Sequence, residues 1–145
     1  ENRDAEICLW GRTEAIAAIR RDGENARYMP GIRFPRNVRP TDDMKDALSD
    51  ASYVVSVVPA QVTRATWMEA RVFLPPSTPV IGASKGIEVG TGKLMSEIFE
   101  DVLGHGSSER LAYLSGPSFA KEVVQKMPTA VVLASSNPDL NGSNC

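Results

Sequence analysis

The sequence predicts an α/β fold on a mostly parallel sheet, and three observations lead there. Short, continuous apolar runs alternate with stretches at helical spacing. Most of those apolar runs stop at Gly, Pro, Ser or a basic residue. The length, 145 residues, suits a single domain able to bury its own core. Uninterrupted apolar strands belong to sheets covered on both faces, and strand–helix alternation is how parallel sheets are wound.

Residues 5–10 (AEICLW) read as the first strand. Residues 13–21 (TEAIAAIRR) read as a helix, with Thr13 as a suitable N-cap. Residues 22–41 carry Gly, Pro and Asn throughout and read as a long loop. A short helix is expected at 42–49, then a buried strand at 53–58 (YVVSVV) closed by Pro59. A helix at 62–73 ends at Pro75-Pro76. The alternation repeats: strand 79–83, helix 94–103, strand 111–114, helix 118–125, strand 129–134. Residues 136–145 read as a polar tail or a truncated continuation, which leaves residues 1–135 as the folded unit.

Composition narrows the functions. Lys plus Arg is 16 and Asp plus Glu is 18, a net charge of −2. So balanced a chain gives no electrostatic case for nucleic acid or an anionic membrane, and any phosphate site must be local. No apolar run approaches the ~20 residues a membrane helix needs. Cys8, inside an apolar run, reads as a buried core thiol and Cys145 as a loose terminal one; neither has a Cys or His at metal-ligand spacing. His105 is the single histidine and sits in an expected exposed turn, so no metal site is expected. These features fit a reducing, cytoplasmic compartment, or a plastid if a leader has been removed.

Two glycine motifs mislead. Residues 86–93 (GIEVGTGK) imitate a phosphate loop, but five residues rather than four precede the Gly-Lys pair and Leu94 replaces the required Ser or Thr. G-x-G-x-x-G fails as well, because Gly90-Thr91-Gly92 runs into Lys93, Leu94 and Met95. A helix-entry loop is the better account.

Ligands of parallel sheets bind at the carboxyl ends of strands, and three such ends break the plain pattern. Arg12 follows the first strand; an Arg near that position can meet a ribose 2′-phosphate, although spacing alone favours a solvated side chain. Lys85 lies among small residues after the strand at 79–83, where an ammonium can stabilise a developing alkoxide. A surface lysine explains that pattern equally well. Residues 115–122 (SGPSFAKE) turn from a strand through Gly116 and Pro117 towards a helix whose first N–H groups attract anions. Ser118 as an N-cap, with Lys121 and Glu122 facing solvent, is an equal alternative.

Taken together, these segments closely resemble the NAD(P)-dependent glycerol-3-phosphate dehydrogenase family, the bacterial and plastid type more than the animal cytosolic type. The strings that carry the resemblance are LWGR at 9–12, ENARYMPGI at 24–32, VVSVVPAQ at 54–61, SKGIEVGTGKLMSEI at 84–98, SGPSFAKEV at 115–123 and PTAVVLAS at 128–135. The resemblance implies a Rossmann-like doubly wound sheet and the interconversion of dihydroxyacetone phosphate and sn-glycerol 3-phosphate, feeding phospholipid synthesis. It implies that Lys85 meets both cofactor and substrate and is catalytic. Gly116 and Ser118 would line the substrate site. Arg12, Pro59, Val62 and Ala120 would adjoin the cofactor, with Val58 beside them, and Arg12 would favour NADP over NAD. Homodimers of the intact enzyme are also implied.

The same resemblance implies a first strand with its glycine-rich turn ahead of Glu1 and an all-helical domain, carrying a proton-donating lysine, after the last strand. The chain alone is therefore expected to be inactive, with a sheet wanting a central member. Two other functions compete. One is a related two-domain dehydrogenase for another small substrate. The other is a non-catalytic nucleotide-binding or flavodoxin-like module, which would not need Lys85 and the turn at 116–118 in one cleft.

Overall fold

The computed structural model describes residues 5–140. In chain order the elements are β1 (Ile7–Trp10), α1 (Thr13–Asp22), β2 (Val38–Thr41), α2 (Met44–Leu48), β3 (Val54–Ser56), α3 (Ala60–Ala70), β4 (Val80–Gly82), α4 (Met95–Leu103), β5 (Leu111–Ser115), α5 (Ala120–Val124) and β6 (Val132–Ser135). Single 3-10 turns stand at Ser107–Arg110 and Pro138–Leu140.

The strands form two hydrogen-bonded sets. β1 pairs with β2 in parallel, and β3, β4 and β5 lie parallel in that order, with β6 antiparallel on β5. Among the described residues no strand pairs β1 with β3. Ser56 lies opposite Gly82, and Gly82 opposite Tyr113, so the chain leaves β3, β4 and β5 along one edge.

The core sits beside the four-stranded set. Trp67 and Ala70 of α3, Ile98, Phe99 and Val102 of α4, Val80 of β4 and Leu111 of β5 are all buried in one cluster. Phe99 meets Trp67 edge-on with ring centroids 5.1 Å apart, a favoured aromatic geometry. The indole Nε1 of Trp67 donates to Ser56 Oγ at 2.9 Å, which satisfies two buried polar groups at once. Helix α3 turns Thr63, Trp67 and Ala70 inward, the i, i+4, i+7 stripe of an amphipathic helix.

Several expectations from the sequence need correction. The stretch 22–41 is not all loop, since its last four residues are β2. Pro40 hid that strand; a proline that gives no N–H fits an edge strand, and Arg20 satisfies its carbonyl from Nε at 3.2 Å. Thr13 is the first residue of α1 rather than its cap; Arg12 holds the cap position without a side-chain hydrogen bond. Ser118 is likewise no cap, because α5 begins at Ala120 behind Phe119. The run 53–58 is strand only at its centre and is buried on one face: Tyr53, Val55 and Val57 are exposed, while Ser56 is buried. Cys8 is half-buried, not a core residue, and burial raises its thiol pKa against the opposing pull of Arg39. Cys145 lies outside the described residues. Ser136 and Asn137 hydrogen-bond back to the carbonyls of Ser108 and Glu109 at 3.1 and 2.8 Å.

Candidate functional site

The expected site residues gather where β3, β4 and β5 end. Lys85 follows β4 by three positions, is exposed, and brings its Nζ to 3.5 Å from the carbonyl oxygen of Gly116, which follows β5. That distance is at the outer limit of a hydrogen bond, so the ammonium is loosely tethered and open to a better acceptor. Ser118 donates its backbone N–H to the same Gly116 oxygen at 3.0 Å. Lys85, Gly116 and Ser118 thus converge on one atom.

Gly116 is there for a steric reason. Its φ is +131°, and a Cβ would stand 2.4 Å from the carbonyl oxygen of Ala130. Only glycine lets the β5 exit turn so close to the strand that returns as β6.

The loop that carries Lys85 is pinned at four points to the exit of β3 and to α3. Ser84 Oγ donates to Val58 O at 2.5 Å. Gly86, at φ +129°, lies so near Ala60 that a Cβ would come within 3.1 Å of that residue's own. Gln61 spans the loop with both ends of its amide: Nε2 donates to Ile87 O at 2.8 Å, and Oε1 accepts from Val89 N–H at 2.9 Å. Arg64 forks onto Glu88 through Nε at 2.9 Å and Nη2 at 2.9 Å, and reaches Asp101 of α4 at 3.0 Å. Thr91 donates to Glu88 at 2.6 Å and Lys93 to Asp101 at 2.5 Å. The hydrogen bond from Arg64 holds the Glu88 carboxyl below its usual range, with Thr91 adding to the effect. Lys93, then Arg64, do the same for Asp101. Bidentate Arg–carboxylate contacts fix geometry as well as charge.

The residues implied for the cofactor are placed unevenly. Pro59 caps α3 at the exit of β3, and Val62 lies exposed in its first turn. Ala120 opens α5, exposed, two residues after Ser118. Arg12 is exposed at the end of β1, on the other strand set, and no described contact joins it to the Lys85 cluster. His105 is exposed in a turn, as expected. No group of three or more His, Cys, Asp or Glu with metal-holding geometry occurs among the described residues. No helix among them is long and apolar enough to cross a membrane.

Gln61 and Arg64 escaped the sequence reading. Their i, i+3 spacing at the start of a helix just past a strand tip was a visible signal, since such residues share a face. Their partners, 24 to 37 positions away, were not visible.

Comparison with known proteins gives consistent matches. The model of the family described as NAD-dependent glycerol-3-phosphate dehydrogenase N-terminus matches residues 1–141. The chain is 41% identical over 135 residues to an NAD(P)+ glycerol-3-phosphate dehydrogenase of Syntrophomonas wolfei, covering 92% of this chain and 39% of that one. It is 43% identical over 131 residues to the protein of the same name in Myxococcus xanthus, covering 90% of this chain and 39% of that one. The chain thus spans about 39% of the length of these relatives. The crystal structure of glycerol-3-phosphate dehydrogenase from Coxiella burnetii superposes with a TM-score of 0.85 at 28% identity, over 94% of this chain and 41% of that chain. The expectation of a Rossmann-like α/β fold is borne out.

Proposed function

We propose, given that the chain belongs to the NAD-dependent glycerol-3-phosphate dehydrogenase N-terminus family, that its strand-tip cluster of Lys85, Gly116 and Ser118 serves the interconversion of dihydroxyacetone phosphate and sn-glycerol 3-phosphate. One observation carries this reading: Lys85 Nζ lies 3.5 Å from Gly116 O, the same oxygen that accepts from Ser118 N–H at 3.0 Å. A non-catalytic module would not require an exposed ammonium beside the backbone turn at Gly116.

The residues present suit a nicotinamide dinucleotide. Pro59, Val62 and Ala120 are exposed small or apolar residues that follow β3 and β5, the strands flanking the β4 that leads to Lys85. When bound, the nicotinamide supplies the hydride. Everything else falls to the chain. Lys85 exchanges its weak contact with Gly116 O for the substrate's C2 oxygen and stabilises the negative charge that grows there. The turn through Gly116 and Ser118 positions the substrate. The proton comes from elsewhere, from the lysine that the sequence resemblance assigns to a helical domain. Arg12, exposed at the end of β1, favours the 2′-phosphate of NADP. Homodimerisation and a cytoplasmic place belong to the same proposal for the intact enzyme.

The test is a chimera in which residues 5–140 replace the matching stretch of the Syntrophomonas wolfei relative. Lys85→Ala in that chimera should lower kcat/KM for dihydroxyacetone phosphate by about 100-fold or more, the scale of one lost oxyanion donor, with an unchanged circular dichroism spectrum. An unchanged kcat/KM would remove Lys85 from the site.

A further inference from the structure

We infer that Gln61 is a positioning residue for Lys85: its side-chain amide acts as a clamp that fixes where the ammonium stands. The inference rests on the reading of Lys85 as the cation that meets the substrate oxygen. Lys85 has no rigid hold of its own, being exposed and touching Gly116 O only at 3.5 Å. Its location is therefore set by its backbone. That backbone leaves β4 and must be arrested before the turn at residues 89–92, and Gln61 does this two and four positions beyond Lys85. By donating to Ile87 O and accepting from Val89 N–H, the amide replaces the two bonds that a neighbouring strand would make. Gln61 belongs to the first turn of α3, whose opposite face is anchored in the core by Thr63 and Trp67. The amide thus ties the loop to the most rigid part of the fold.

Other anchors cannot substitute for it. Ser84 holds the residue before Lys85, and Arg64 holds Glu88 by its side chain. The loop closes on itself beyond Lys85, Glu88 N–H donating to Lys93 O at 2.9 Å, but among the described residues Gln61 is the side chain from outside the loop that bonds its main chain there, and main-chain placement is what a long flexible side chain inherits. Gln61 is itself exposed, so its removal costs little packing.

The test is a double-mutant cycle in the chimera. With Lys85 present, Gln61→Ala should lower kcat/KM for dihydroxyacetone phosphate by about 10- to 100-fold, the scale of an ångström-sized misplacement. In the Lys85→Ala background the same substitution should change the rate by less than about 2-fold, because the group it places is gone. Gln61→Glu, which keeps the acceptor for Val89 N–H and loses the donor to Ile87 O, should fall between. Tm should stay within a few degrees throughout. Equal losses in both backgrounds would mean a general structural role and overturn the inference, as would no loss with Lys85 present. If Lys85→Ala alone leaves the rate unchanged, the reading beneath fails and takes the inference with it, which the cycle separates from a failure of the clamp alone.

Discussion

The two strand sets are built on different principles. The four-stranded set leans on a continuous apolar cluster of α3, α4, β4 and β5, with Phe99, Ile98 and Val80 fully buried. The two-stranded set buries Ile16 and Ile19 from α1, and no residue of β1 is buried. Beyond that packing and the β1–β2 pairing it has surface contacts: Arg39 with Asp46 at 2.5 Å and Glu6 at 3.4 Å, and Arg20 with Asp42 at 3.4 Å. Exposed ion pairs as a class contribute little and are screened by salt, whereas burying one large apolar side chain contributes about 1.5–3 kcal/mol. The difference explains where a fixed site can stand. Lys85 rides on a loop anchored to the packed set, and Arg12 sits on the thin one, suited to a contact that tunes cofactor choice rather than one that does chemistry.

The sharpest way to break this contrast is to empty its core. Phe99→Ala should cost about 3–5 kcal/mol in urea denaturation, with Ile16→Ala at the lower end of the about 2–5 kcal/mol range for buried aliphatics. Equal costs would mean that the two sets share one core. Next comes Gly116→Ala. The new Cβ would collide with Ala130 O in a left-handed backbone region, so about 1–3 kcal/mol of strain is expected. The turn should also reshape, raising KM for dihydroxyacetone phosphate; steady-state kinetics reads this directly.

Acid should loosen the anchored loop. Glu88 and Asp101 have depressed carboxyl pKa values in the fold, so the stability they lend is present above the ordinary carboxylate range and is lost as pH falls through their folded values. Hydrogen exchange at Val89 N–H, normalised for intrinsic rates, should accelerate as pH falls below the ordinary carboxylate range, while amides of β4 and β5 stay protected. Uniform protection of both down to the lowest pH would refute the coupling. The smallest effect belongs to the thin set. Arg39→Ala should move the urea midpoint only slightly at low salt, and high salt should erase that shift. Arg64→Ala should retain more of its effect in salt, because Glu88 is mostly shielded from solvent.

What the sequence made legible follows the same division. On the packed side, the strand–helix alternation and the small residues at strand exits placed Lys85, Gly116 and Ser118 correctly at neighbouring tips, because continuous apolar runs report burial directly. Element ends were less legible. The apolar run 53–58 hid a three-residue strand with one open face, since residue type alone does not tell a covered face from an exposed one. On the thin side β2 was missed, because Pro40 and Arg39 erase the apolar pattern and the strand exists only through pairing with β1. The antiparallel return of β6 is likewise a matter of pairing, which no local pattern encodes. The clamp by Gln61 and Arg64 joins residues far apart in sequence and became visible only in three dimensions.

The most direct measurement is a crystal structure of the chimera with NADP+ and sn-glycerol 3-phosphate bound. The ammonium of Lys85 should have left Gly116 O and stand within about 3.2 Å of the substrate's C2 hydroxyl oxygen, with the turn at residues 116–118 against the same molecule. A substrate seated elsewhere, with Lys85 still turned towards solvent or Gly116, would contradict the account.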